Sequence, residues 1–331
     1  MSSGRGKLLL VVTALCLIAG VGYVIAAAIG SDGLTTDARP SAAAGPLPNA
    51  AVMVRAVDPR DPRLNGHVFV VRDGKVERDP GNDLACERVY FAAGRGLCLA
   101  IAASGVDYVA TVFDSRMRPV HDFPLTGLPS RARVSPEGRY GATTVFVAGH
   151  AYLGASGGFS TTTTIIDMKT GEVLGQLEQF DVTKDGRPFD AVDFNFWGIT
   201  FARDSDRFYA TLGTGSHHYL VEGSVHDRSL LVLRDGVECP SLSPDGTRIA
   251  YKSRIGDETR WRLRVLDLTT LDDHGVAEPR SVDDQVEWLD DRNLAYSDEH
   301  DIYTVPADGG GEARLLIADA TSPVSLRSAV Q

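Results

Sequence analysis

Three groups of residues have the types from which an active site could be made. Gly154-Ala155-Ser156-Gly157-Gly158 fits G-x-S-x-G, the spacing that sets a nucleophilic serine on a sharp strand-to-helix turn with its hydroxyl exposed. His217, His218 and His226 lie close together with Glu222 and Asp227 beside them, and imidazole with carboxylate is a donor set for zinc or a related metal. Asp272-Asp273, Asp283-Asp284 and Asp290-Asp291 are paired carboxylates, which act as acid and base or hold calcium when they converge.

Their surroundings argue against each. The serine sits in a run of small residues, AGHAYLGASGGFSTTTT, with no hydrolase-sized domain after it. On one strand His217 and His218 would point to opposite faces, and no H-E-x-x-H spacing is present, so the histidines read as surface or turn residues. The aspartate pairs fall between strand-like segments and read as solvated turn residues. No catalytic residue, metal ligand or cofactor is assigned.

Of the four cysteines, Cys16 lies in an apolar N-terminal run. Cys86 and Cys98 flank one predicted hairpin, and outside the cytoplasm they are expected to form a disulfide that leaves Cys239 buried and free. The odd count beyond Cys16 permits other pairings.

The elements that must position these residues divide the 331-residue chain into four parts. Residues 1–7 carry Arg5 and Lys7 and are expected on the cytoplasmic side, because positive charge stays inside. Residues 8–30, LLLVVTALCLIAGVGYVIAAAIG, are uncharged and long enough to span a bilayer as a signal anchor. Ala26 to Ala28 resemble a signal-peptidase site, so secretion after cleavage is the alternative. Residues 31–51 are rich in Ala, Pro, Gly and Ser and read as a flexible linker. Residues 52–331 read as all-β: short alternating segments rich in Val, Ile, Thr, Phe and Tyr, between Gly, Asp and Pro turns. The chain's net charge is -11 and this last part carries about -12, which excludes a phosphate-backbone partner such as nucleic acid.

The segments repeat. Leu242 to Tyr251, LSPDGTRIAY, is echoed by VSPEGRYGA from Val134, FARDSDRFY from Phe201, WLDDRNLAY from Trp288 and, faintly, FAAGRGLCL from Phe91. The spacing is about 43 residues, one interval being longer, and that suits a four-stranded propeller blade. Outer hairpins are expected at HVFVVRDGKVE, TIIDMKTGEVL, SLLVLRDGVE and DIYTVPADGGGEARLLI. Six blades result, seven if the long interval hides another, with the tail SPVSLRSAVQ supplying the missing inner strand of the first. Within the insertion Val192, Phe194 and Phe196 alternate as a core strand would, which leaves Trp197 and the glycine loop, with His217 and His218, as interface candidates.

The S-P-D-G turn, the Ile-Ala-Tyr strand after it and the Trp261 to Leu268 strand of W-x-L-x-V-x-D-L type resemble the WD-like propeller repeats of the TolB family, here in a membrane-anchored variant of actinobacterial type. The resemblance covers residues 52–331 and implies an extracytoplasmic, non-catalytic platform that binds an envelope or membrane protein, a cell-wall component or a small-molecule ligand. The TolB family has an α/β domain where this chain has an anchor and a linker, so the role in the Tol-Pal complex is not carried over. The rival expectation is a propeller enzyme of lactonase or glycosidase type that uses channel-facing carboxylates, with or without a metal.

Overall fold

The computed structural model describes residues 41–42, 51–58, 64–77, 84–147, 160–204, 206–256 and 260–326. The expected anchor at 8–30 and the G-x-S-x-G stretch at 154–158 lie outside the described residues. Among the described residues no helix is long and apolar enough to cross a membrane.

The alternating segments form antiparallel sheets that are the six blades of a β-propeller. A short strand β1 (Ser41–Ala42) precedes blade 1, which contains β2 (Ala51–Ala56), β3 (Val68–Arg72) and β4 (Lys75–Glu77). Blade 2 is β5 (Arg88–Ala92), β6 (Arg95–Ile101), β7 (Tyr108–Asp114) and β8 (Pro119–Leu125). Blade 3 is β9 (Leu128–Val134), β10 (Tyr140–Val147), β11 (Ser160–Asp167) and β12 (Val173–Gln176). Blade 4 begins with β13 (Asp181–Lys184) and β14 (Arg187–Pro188) and continues with β15 (Asn195–Phe201), β16 (Arg207–Thr214), β17 (His217–Ser224) and β18 (Ser229–Arg234). Blade 5 is β19 (Glu238–Leu242), β20 (Arg248–Arg254), β21 (Trp261–Asp267) and β22 (Asp273–Gly275). Blade 6 is β23 (Glu287–Trp288), β24 (Asn293–Asp298), β25 (Asp301–Pro306) and β26 (Arg314–Ala318). Finally β27 (Ala320–Leu326) pairs with β2 as the inner strand of blade 1, so both ends of the domain close one sheet.

Several expectations need correction. Ser229 to Glu238 is not an outer hairpin, because β18 is antiparallel only to β17 and Glu238 opens the inner strand of the next blade. The long interval hides no seventh blade: part of it forms β13 and β14, and β13 lies parallel to the outer edge of blade 4. Val192 is 79% exposed, whereas Phe194 and Phe196 pack inward, because Val192 lies in the turn at 192–193 ahead of β15. Apart from these corrections, Ser41–Ala42 pair with β26.

The repeat turns owe their shape to named atoms. In both S-P-[D/E]-G copies the serine Oγ accepts the amide N–H five residues on, Tyr140 to Ser135 at 3.0 Å and Arg248 to Ser243 at 2.9 Å. The glycines Gly138 and Gly246 donate back to those serines' carbonyls and sit at φ 70° and 75°, where a Cβ would be strained. Neighbouring turns are tied together, Arg203 Nε donating to the Pro244 carbonyl at 2.8 Å and Arg248 Nη2 to that of Asp291 at 2.7 Å. Apolar cores fill the gaps between blades, with Trp288 and Tyr296 buried between blades 5 and 6 and Phe196, Phe201 and Phe208 between blades 3 and 4.

Two buried features give measurable consequences. Cys86 and Cys98 are joined by a disulfide with Cα atoms 5.4 Å apart, which fastens the segment ahead of β5 to β6. Replacing both with alanine is expected to cost about 2–3 kcal/mol of stability, since the closed loop is short. Urea unfolding of the double variant under oxidising conditions measures this, and a midpoint equal to that of the unreduced parent would refute it. Glu178, in a short turn after β12, accepts the Thr163 amide N–H at 3.2 Å through Oε1, while Oε2 is buried without a partner. Burial pushes its carboxyl up to about 7. The folded state therefore holds this proton where the unfolded chain releases it, and the resulting stability is complete below pH ~4.5 and lost as pH rises through about 7. The unfolding midpoint should fall between pH 5 and 8, and Glu178→Gln should flatten that fall.

Candidate functional site

All inner strands run from one face of the propeller toward the face that carries the repeat turns, so their first residues ring the opposite mouth of the channel. Side chains two apart on a strand face the same way, in successive layers. Arg88 and Tyr90 stand in this relation on β5, as do Arg131 and Arg133 on β9, and Gln285 and Glu287 at the start of β23.

The inner layer is a closed floor. Glu287 accepts from Arg133 Nη1 at 3.2 Å, from the Tyr90 hydroxyl at 3.1 Å and from the Ser325 amide at 3.3 Å. Arg133, itself buried, also donates to the Val286 carbonyl and lies over the Tyr90 ring. Gln285 Nε2 donates to the carbonyls of Gly198, Ile199 and Pro240 at 2.7–3.1 Å. Those carbonyls are free because β15 and β19 both break register there, with Gly198 and Cys239 at positive φ. Gly198 is required, since a Cβ on it would lie 2.6 Å from Cys239 Cα. Trp288 Nε1 completes the floor with a bond to the Ser241 carbonyl at 2.9 Å. Groups from all six blades meet here.

Above the floor is a cavity of about 340 Å³. Arg55, Arg88 and Arg131 line it together with Asp283, Asp284 and Glu299. Arg55 Nε donates to the Cys86 carbonyl at 2.6 Å and Nη2 pairs with Glu87 at 3.2 Å, so the disulfide segment holds this corner. Arg88 is fixed by backbone, Nε to the Ser130 carbonyl at 2.7 Å and Nη1 to that of Glu87 at 2.9 Å. Burial, and then the neighbouring Arg131 charge, lowers its pKa. Arg131 Nη2 is 3.6 Å from Asp284, and its Nε is buried without a partner. Asp284 also accepts amide N–H bonds from Gln285 and Ser297, and Asp283 pairs with Lys252. Burial pushes the Cys239 thiol up, so it stays protonated beneath this layer.

Blades 4 and 5 carry a second, aromatic sector. Buried Glu238 accepts from Arg254 Nε at 2.8 Å and from Trp261 Nε1 at 3.1 Å, with His218 Nδ1 3.6 Å away. Burial lowers the His218 pKa against the pull of Glu238. Lys252 lies over the Trp261 ring and links this sector to Asp283.

The interface candidates separate. Trp197 is only 6% exposed, its ring edge-on to His218 and closed over Gly213, because β15 turns it into the blade rather than out of the mouth. His217 faces the other side of β17, stacked on Tyr219 with Nδ1 2.5 Å from Asp235. His226 lies past the far end of that strand, its amide donating to Asp206. Two of the aspartates read as solvated are not: Asp273 is held by Arg234, Arg264 and Tyr251, and Asp284 by Arg131 and two amides. Among the described residues, no three His, Cys, Asp or Glu side chains gather to hold a metal ion. Sequence reasoning missed Arg55, Arg88, Arg131, Gln285 and Glu287. Their trace was arginine repeated two apart in S-R-A-R-V and polar residues interleaved in D-D-Q-V-E-W, on strands otherwise apolar.

No family model matches the chain, and no curated protein matches it. Among solved structures it resembles TolB from Acinetobacter baumannii, with a TM-score of 0.62 and 15% identity over 86% of this chain and 68% of that one. It also resembles a chain of the nidogen/laminin complex, with a TM-score of 0.55 and 10% identity over 84% of this chain and 99% of that one. The chain therefore has a TolB-like, six-bladed propeller fold.

Proposed function

We propose that this chain is a membrane-tethered, extracytoplasmic binding module that receives an envelope or membrane protein at the strand-start mouth of its propeller and performs no chemistry of its own. The observation that carries the reading is the charged cavity over a floor closed by all six blades: a recess lined by both arginines and carboxylates suits docking. The TolB-like fold supports a protein partner by analogy of architecture alone. The extracytoplasmic location is supported by Arg5 and Lys7 ahead of the uncharged run at 8–30, and by the Cys86–Cys98 disulfide, a bond typical of oxidising compartments.

Two outcomes are expected. The protein should sediment with membranes after a carbonate wash, and protease added outside intact spheroplasts should degrade it; a shortened form found free in the medium would overturn the tether. A photo-crosslinker placed at the exposed Glu299 or His300 in living cells should give discrete adducts with an envelope protein, and one at Arg292, on the turn face, should not. Equal labelling from both faces, or turnover of a lactone or glycoside panel by the purified chain, would overturn the reading.

A further inference from the structure

The arginine side of the mouth has a definite chemistry. Arg88 stands between Arg55 and Arg131, whose charges act on it along with those of the Asp284 and Glu87 carboxylates. Its two protein hydrogen bonds go to the carbonyls of Ser130 and Glu87, which fix the plane of the guanidinium without neutralising it. No described residue accepts a bond from Arg88 Nη2. Arg55 has Glu87 as its ion-pair partner, and Arg131 has Asp284 at the longer distance of 3.6 Å. Three cations thus line a cavity in which the middle one, though within the field of Asp284 and Glu87, has no carboxylate at ion-pair distance among the described residues.

We propose that Arg88, flanked by Arg55 and Arg131, is a carboxylate-binding subsite that takes a chain-terminal or side-chain carboxylate of a docking polypeptide. The proposal rests on the reading of this mouth as a docking site. A planar, forked guanidinium matches a carboxylate's two oxygens, and a bond between charged groups in a partly desolvated cavity is stronger than a neutral one. Charge selects a monoanion. The same cavity is lined by Asp283, Asp284 and Glu299 and the whole chain is at -11, so a dianionic phosphate would meet more repulsion than a carboxylate. Those carboxylates also suit a cationic group elsewhere in the same ligand, since the Asp283 side chain is 59% exposed despite its pairing with Lys252.

The test uses the full chain in detergent, with arginine Nε–Hε resonances as the signal. Four probes are titrated: a neutral tripeptide with a free C-terminus, the same peptide amidated, an acetylated and amidated peptide with one glutamate, and inorganic phosphate. Saturable shifts of the Arg88 and Arg131 signals are expected with the free-terminus peptide, the glutamate peptide or both, and not with the amidated control. The stronger of the two identifies the source of the carboxylate. Arg88→Gln should weaken binding about tenfold or more, and Arg88→Lys, which keeps the charge but loses the fork, should fall between. Arg55→Gln, judged with the thermal midpoint, serves if Arg88→Gln fails to fold. Shifts that never saturate, affinity unchanged in Arg88→Gln, or phosphate binding as tight as carboxylate would each overturn the proposal. Crosslinks at Glu299 that persist in Arg88→Gln would sink the subsite alone, whereas their absence in the parent would sink the docking reading beneath it.

Discussion

Gln285 and Glu287 hold the propeller's axis. One side-chain amide serves three carbonyls that two bulged strands leave free, and one carboxylate collects an arginine, a tyrosine and an amide from three other blades. Such a network is favourable only when nearly complete, because a buried charge without partners costs several kcal/mol. Its completeness depends on every blade being in register. The blades of a propeller are otherwise joined mainly by apolar faces, which tolerate sliding; here the polar centre does not. The bulges in β15 and β19 follow from the same constraint, since without them the carbonyls of Gly198 and Pro240 would remain in their ladders.

This division of labour gives the two faces different physics. On the turn face, serine, aspartate and glycine satisfy their own backbone and then bind the next turn, so the polar groups are consumed in holding the ring together. Asp245 shows the extent of it: though partly buried, its carboxyl is held far below the usual range by Ser243, Thr247 and Arg248. At the opposite mouth the charges sit one layer above the floor and face an open cavity. Their positions are set by backbone, as for Arg88, or by the disulfide segment, as for Arg55, so they remain in place with donors to spare.

The fold was legible in sequence because its repeating part is local. A turn of four residues and two flanking strands repeats whatever the rest of the chain does, and closure by the tail followed from counting strands. The errors came where one element crosses into another's territory. Ser229 to Glu238 looks like a hairpin because R-D-G is a good turn, yet the turn links two blades. Val192 shares its alternation with Phe194 but lies in the turn ahead of the strand. The candidate site was largely illegible. Arg88, Arg131 and Gln285 come from segments far apart in the chain, and a lone arginine on a short strand has the same local pattern whether it faces solvent or the axis. Trp197 stood out as the aromatic left over from the alternation of Val192, Phe194 and Phe196, and the histidines as a cluster along the chain, and neither signal reports direction.

The strand β2 lies between β27 and β3 and is hydrogen-bonded to both. The chain ahead of it leads back toward the apolar run at 8–30. A pull delivered along the chain from that side first meets the two-residue edge strand β1 on β26, and beyond it reaches β2 in the middle of a sheet, where it loads two ladders in shear. The seam that closes the ring is also the point at which the domain is best built to bear tension.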